Sequence, residues 1–372
     1  MRASVFTDKA LGRYAGRFVW LAIDTENAAN AGFLKKYPIR ALPTMLVLDP
    51  VKEQVALRYV GGATVPQLEK LLKDGERAAR GTAGRADAAL VRGDRLANEG
   101  KGAEAARSYV EAVDNAPKGW SRLGRAAESL VFALYLSKDY RTCTARALEL
   151  YPRLRGTYSS LNVASNGLAC ASELPEHGAA FETLEKACRE VLDDPNIPLS
   201  ADDRSGLYET LIGAREAVKD EKGRKTLAAE WAAYLEGEAK AAKTTEERAV
   251  YDSHRLTAYL DLKQPERALP MLEQSERDFP DDYNPPARLG LAYRTAGRYD
   301  EALAAYDRAL AKAYGPRKIG IYRGKAETCV SKGDKDAARR TLEEAIAYAE
   351  SLPDGQRSEN AIASLKKRLE AI

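Results

Sequence analysis

The fold of this chain is most narrowly bounded by one pattern. A small, a large and a small side chain, spaced four and then three residues apart, return at a near-constant step. In Gly297-Arg-Tyr-Asp-Glu-Ala302-Leu-Ala-Ala-Tyr306-Asp-Arg-Ala309 the three positions are Ala302, Tyr306 and Ala309. Residues four and three apart share one face of a helix. Two small groups beside a bulky one let a second helix approach closely while the bulky group fills the gap. The preceding stretch offers Leu289, Gly290 and Tyr293 at matching spacing, and Gly297 supplies the turn. The triple returns at Ala105-Tyr109-Ala112, Cys143-Ala147-Leu150, Ala180-Leu184-Ala187, Leu227-Trp231-Tyr234, Ala268-Leu272-Ser275 and Ala338-Leu342-Ala345. The steps along the chain are 38, 37, 47, 41, 34 and 36 residues. A lone triple describes any amphipathic helix. A series of this length predicts stacked helical hairpins, each burying its face against its neighbours.

The set Leu289, Gly290, Tyr293, Ala302, Tyr306 and Ala309, with Pro117 and Pro280 as helix-ending prolines, resembles the tetratricopeptide repeat (TPR) family. That family's step is about 34 residues. The match is weakest around Trp231, after a loop with Pro195 and Pro198. The resemblance implies a mainly α chain, a TPR-type right-handed helical solenoid with about seven hairpins over residues 85–350. A capping helix falls within 351–372, where Leu365 and Leu369 are apolar and Lys366, Lys367 and Arg368 solvated. It also implies a protein or peptide partner in the concave groove lined by the first helix of each hairpin. The groove positions of the first hairpin are Leu90, Asp94 and Asn98, and those of the last Arg323, Glu327 and Ser331. They lack the basic and amide set that clamps a peptide's C-terminal carboxylate, so a free acidic C-terminus is not the expected partner.

Residues 1–75 read differently. Phe18–Ile23, Thr44–Leu48 and Val55–Val60 are apolar runs of strand length, and 28–37 and 65–72 have helical character, with Leu68, Leu71 and Leu72 as a buried stripe. Three glycines between Asp74 and Gly84 suggest a linker over 76–84. The stretches Phe18-Val-Trp-Leu-Ala-Ile-Asp24, Tyr37-Pro-Ile-Arg-Ala-Leu-Pro43-Thr44 and Tyr59-Val-Gly-Gly-Ala63 resemble the C-terminal part of a thioredoxin fold. The resemblance implies a small N-terminal α/β partial thioredoxin-like domain. It implies a cis bond before Pro43, a substrate loop of Arg40, Ala41, Leu42, Pro43 and Thr44, and a bulge or turn at Gly61-Gly62. Met1–Phe6 would be the later part of the helix that follows the family's C-x-x-C. The strands 18–23 and 44–48 would stand roughly 10 Å apart with a strand missing between them, an incomplete sheet liable to dimerise. No cysteine precedes Cys143, so this chain is expected to be redox-inactive at that loop. The alternative is a thiol–disulfide oxidoreductase whose C-x-x-C lies upstream of a start placed too late.

The remaining signals exclude more than they assign. The charge of +3, from 58 basic and 55 acidic residues, gives no basic excess for nucleic-acid binding. Phe18–Ile23 is too short to span a membrane or serve as an export signal. The chain is expected in the cytoplasm if Met1 is the true start, and outside it if a signal lies upstream. Cys143, Cys170, Cys188 and Cys329 form no C-x-x-C and are expected as buried packing residues, Cys170–Cys188 being the pairing considered. His177 and His254 lie in repeats, far apart in sequence. No metal or cofactor motif is present, and no catalytic residue is assigned. Asp202-Asp203 and Asp281-Asp282 are expected at helix starts. The expected role is a protein-interaction scaffold, not an enzyme.

Overall fold

The computed structural model describes residues 5–81 and 84–372. Met1–Ser4, in the expected first helix, and Thr82-Ala83, in the expected linker, lie outside the described residues. In chain order the elements begin with a 3-10 turn at Lys9–Tyr14, α1 (Ala31–Lys36), β1 (Thr44–Asp49), β2 (Gln54–Val60) and α2 (Val65–Arg80). Then come α3 (Arg85–Asn98), α4 (Gly102–Asp114), α5 (Leu123–Leu136), α6 (Tyr140–Leu154), α7 (Ser159–Ser172), α8 (Ala179–Asp193), α9 (Ala201–Ala217) and α10 (Glu221–Ala241). The last are α11 (Thr245–Ala249), α12 (Asp252–Asp261), α13 (Leu269–Asp278), α14 (Asn284–Thr295), α15 (Tyr299–Lys312), α16 (Arg317–Lys332), α17 (Lys335–Ser351) and α18 (Glu359–Glu370). Among the described residues the protein is mainly α, an array of TPR-type hairpins with one two-stranded sheet near its start.

The chain forms two compact units, and both are discontinuous in sequence. One comprises the residues up to Val19 together with Ile39–Leu227; the other comprises Trp20–Pro38 and Ala228–Ile372. In the first unit α3 packs on α4 and α4 on α5, and the order continues through α8. The first helices α5, α7 and α9 also pack on one another as a layer. In the second unit α12, α14 and α16 form the corresponding layer, with α15 and α17 behind them and α18 against α17.

The triples explain why the hairpins close. All of their positions are buried except Ala180 and Tyr234, which are half-buried. The large residue of a second helix sits where the facing helix has no side chain. A Cβ added to Gly93 would lie 2.5 Å from the Tyr109 ring, and one added to Gly290 would lie 2.6 Å from the Tyr306 ring. Leu289 and Tyr293 are buried on the same helix as Gly290. Asp202 and Asp203 open α9, where Ser200 and Asp203 form a reciprocal capping box.

The N-terminal reading needs four corrections. Phe18–Ile23 is not a strand: Val19 is 89% and Leu21 69% exposed, and the sheet is β1 and β2 alone. The reason is that Asp24, Thr25 and Glu26 are tied within the second unit, while Phe18 packs beside the core of Leu11, Tyr14, Leu57, Tyr59, Leu68 and Leu71 in the first. The expected slot between two strands therefore does not exist. Second, residues 1–75 are not one contiguous body, because 20–38 belong to the second unit. Third, residues 76–80 of the expected linker are helix. α2 runs to Arg80, and Gly75 is buried because a Cβ there would lie 2.6 Å from Val47. A glycine that reads as linker is a close helix–strand contact. Fourth, the cysteines do not all remain thiols. Cys143 and Cys170 form a disulfide, with Cα atoms 6.2 Å apart, because α6 and α7 pack directly and bring two fully buried positions together. Cys188 and Cys329 are free and buried. The Leu42–Pro43 bond is cis, as the resemblance implied.

Candidate peptide-binding face

The site was expected on the first helices of the hairpins. In the first unit that layer is already occupied by the chain's own β2. Antiparallel pairing sets Leu46 opposite Arg58 and Met45 opposite Tyr59. The backbone N–H of Arg58 donates to Oδ2 of Asp94 at 3.3 Å, so it points away from β1 and onto α3. The outer edge of β2 is thus closed by a side chain instead of another strand. Asp94 has no exposed surface. It also accepts the Tyr109 hydroxyl at 2.9 Å and pairs with Arg125 Nη1 of α5 at 2.6 Å. Burial pushes its carboxyl upward, against the pull of Arg125 and the Tyr109 hydroxyl. The same aspartate serves the hairpin, the neighbouring hairpin and the strand.

The contact continues along the layer. Arg122 Nε donates to Asp74 of α2 at 3.0 Å and its Nη1 to Asp87 of α3. Burial, with the nearby carboxylates of Glu128 of α5 and Asp203 of α9, pushes the Tyr59 phenol up. The Tyr158 hydroxyl contacts the Gly62 carbonyl at 3.4 Å and Asp203 of α9 at 2.8 Å. Glu128 accepts from Asn162 of α7 at 2.9 Å. Burial pushes the Glu128 carboxyl up, and burial with the nearby Asp203 pushes the Tyr158 phenol up. The extended segment is therefore held on α3 by the buried Asp94, and its end at Gly62 meets Tyr158, which Asp203 of α9 holds in turn.

The residues expected to form a substrate loop sit at one end of this segment. Leu42 is 54% exposed. The Thr44 hydroxyl donates to the Ala41 carbonyl at 2.7 Å, the Gly61 N–H to the Pro43 carbonyl at 2.9 Å, and the Arg40 guanidinium lies over Gly100.

The second unit presents its first-helix layer differently. Glu327 of α16 pairs with Arg294 of α14 at 3.1 Å and with Arg368 of α18 at 2.8 Å. Arg323, Val330 and Ser331 of α16 are exposed. Equivalent repeat positions thus have opposite fates. Leu90, Asp94 and Asn98 are buried in the first hairpin, whereas Arg323 and Ser331 are open in the last.

Sequence reasoning reached Asp94 but missed its partners Arg58 and Arg125, and missed Glu128. One signal was available for the last two. Arg125 and Glu128 stand three apart in Leu123-Gly-Arg-Ala-Ala-Glu-Ser-Leu-Val-Phe-Ala-Leu-Tyr-Leu136, an otherwise apolar helix, where buried charge requires partners. Among the described residues no cluster of His, Cys, Asp or Glu could hold a metal ion, and no helix is long and apolar enough to cross a membrane.

Residues 283–351, which contain α14 to α17, match the tetratricopeptide repeat family. No curated protein matches the chain. Among solved structures it is similar to a tetratricopeptide repeat protein from Parabacteroides merdae, at 10% identity over 77% of this chain and 98% of that one, with a TM-score of 0.45. It is also similar to the TPR2AB domain of yeast Sti1 in complex with pHSP90, at 15% identity over 77% and 98%, TM-score 0.29. A thermophilic repeat protein of Thermus thermophilus matches at 18% identity over 77% and 97%, TM-score 0.26.

Proposed function

We propose that this array of TPR-type hairpins is a scaffold that holds an extended segment of another protein on the exposed layer formed by α14, α16 and α18. The observation that carries the reading is β2, an extended strand already held on the first-helix layer of the first unit through its backbone at Arg58 and Gly62. In the second unit the equivalent positions are open, with Arg323, Val330 and Ser331 exposed around Glu327. Its charged groups suit a segment of mixed polarity better than a strongly acidic tail. Within the same proposal residues 39–80 are the C-terminal part of a thioredoxin-like domain, supported by the order β1, β2, α2 with the helix packed on the hairpin. In this reading its role is binding: it occupies the first-helix layer of the first unit through the Arg58 N–H and the Gly62 carbonyl.

The test is selection of peptides from a displayed library on the whole chain, followed by anisotropy titrations. Arg323→Glu with Val330→Asp alters two exposed positions outside the core. Selected peptides should bind this variant at least about tenfold more weakly, a loss of ~1.4 kcal/mol, with its circular dichroism unchanged. Equal affinity for both proteins would remove α16 from the site.

A further inference from the structure

We propose that the open edge of β1 pairs with β1 of a second copy of this chain, joining two hairpins into one four-stranded antiparallel sheet. The inference stands on the first unit alone and does not rest on the binding reading above.

The backbone directions are fixed by two bonds. The Arg58 N–H points outward to Asp94, so Arg58 and its partner Leu46 form a pair that exchanges no bonds with each other. The Gly61 N–H donates to the Pro43 carbonyl, which is the alternate phase of the same ladder. Leu46, and by alternation Thr44, therefore direct their N–H and C=O groups away from β2; the register shifts between Val47 and Leu48, but the extra residue is Ala56 on β2, so the alternation along β1 runs on to Leu48. Among the described residues no backbone hydrogen bond reaches these outward groups. The two edges of the hairpin are thus treated oppositely: β2 is closed by Asp94, and β1 is open.

Nothing in β1 guards that edge. Thr44-Met-Leu-Val-Leu-Asp49 carries no lysine and no proline, and its one charge lies at the end. Edges left in this state are templates for another strand. A second copy fits better than an arbitrary peptide, because the strand is complementary to itself. An antiparallel two-fold centred on Leu46 sets Leu46 against Leu46 of the second copy, and Thr44 against Leu48. All of the paired groups are then outward ones, giving about six new backbone bonds. Asp49 falls opposite Pro43, so no like charges meet. Leu42 falls opposite Pro50, beside Val51. Leu42 and Val51 are 54% and 89% exposed, and this register places them together at both ends of the junction. An isologous contact of this kind closes as a dimer and does not propagate.

Two variants test it in the whole chain by sedimentation equilibrium. Leu46→Pro removes an outward N–H that β2 does not use, and proline is tolerated on such an edge. Leu42→Lys with Val51→Lys leaves the strand intact and places like charges beside one another at the junction. The wild type should sediment at twice the chain mass in the micromolar range. Both variants should weaken dimerisation at least about 100-fold while keeping wild-type circular dichroism. Should Leu46→Pro unfold, the lysine pair decides. Hydrogen exchange gives an independent reading: the Leu46 amide should slow as concentration rises. A wild type that stays a single chain overturns the proposal, as does a folded lysine variant that still dimerises. So does a Leu46 amide protected equally at every concentration, which would assign the edge to another occupant.

Discussion

Tyr306 shows how one side chain can be decisive here. Its ring fits between Gly290 of α14 and Gly324 of α16, where added Cβ atoms would lie 2.6 and 2.8 Å from it. Removing it leaves a cavity bounded by backbone on both sides, which cannot collapse easily. Tyr306→Ala should cost about 3–5 kcal/mol. Cys329→Ser, at a buried thiol without a disulfide, should cost only about 1 kcal/mol. Denaturation midpoints in the reverse order would refute the packing register. Glu128 carries a second expectation. Burial raises its carboxyl above the ordinary glutamate value of about 4.3, so the native state binds a proton more readily than the unfolded chain does. Its contribution to stability is present below that value and is lost as pH rises through the raised native value. The stability of Glu128→Gln relative to wild type should therefore rise with pH across that window and stay level below it. A difference that falls with pH would show the carboxylate to be favoured by its surroundings. The sequence displayed Tyr306 plainly, because a repeat writes the same small-large-small spacing many times. It displayed Glu128 only faintly, because the groups around it lie 31 to 69 positions away at Ser159, Asn162 and Tyr59.

At the scale of elements, legibility follows the range of the contacts. The hairpins could be read because each helix meets its sequence neighbours. β1 and β2 could be read because a hairpin is local as well. Phe18–Ile23 could not: its composition is that of a buried strand, but composition says nothing about whether a partner strand is within reach. The Cys143–Cys170 bond was equally hidden, since it depends on which buried positions of α6 and α7 face each other. β2 was legible as a strand, yet its place on α3 and α5 was not, because the link runs through Arg58, Asp94 and Arg125. That link can be broken cleanly. Arg125→Met keeps much of the side-chain bulk but leaves Asp94 buried without its ion pair. Removing one partner of such a pair costs about 3–5 kcal/mol. Asp94→Asn in the same chain should recover part of the loss, because the orphaned charge is gone. Chemical denaturation of the two single variants and the double variant measures this. Additive losses would show that Asp94 and Arg125 do not act as a pair.

For the whole molecule the consequential feature is that residues 20–38 leave the first unit and complete the second. The Arg317 N–H at the start of α16 donates to Glu26 at 2.7 Å, which caps a helix whose own preceding residue, Pro316, offers no capping side chain. The Tyr314 hydroxyl donates to Asp24, the Gln356 amide to the Thr25 carbonyl at 2.8 Å, and Lys35 pairs with Asp354. Two glycines make room for this segment. A Cβ on Gly315 would lie 2.3 Å from the Glu26 carbonyl oxygen, and one on Gly355 would lie 1.9 Å from that of Ala31. Both obstacles are backbone atoms, which cannot swing aside as a side chain can. Gly315 also has φ of +63°, a conformation that alanine resists. The double variant Gly315→Ala, Gly355→Ala should therefore expel residues 20–38 while leaving every side chain of the first unit untouched. Hydrogen exchange followed by mass spectrometry reads the result segment by segment. Amides in 24–36 and at the start of α16 should exchange at least about tenfold faster, equivalent to ~1.4 kcal/mol of lost local stability. Amides of α5 and α7 should keep their wild-type rates, because their partners lie in the other unit. Uniform acceleration across both units would mean that the chain unfolds as a single cooperative body. Unchanged rates in 24–36 would mean that the two close approaches do not hold the segment.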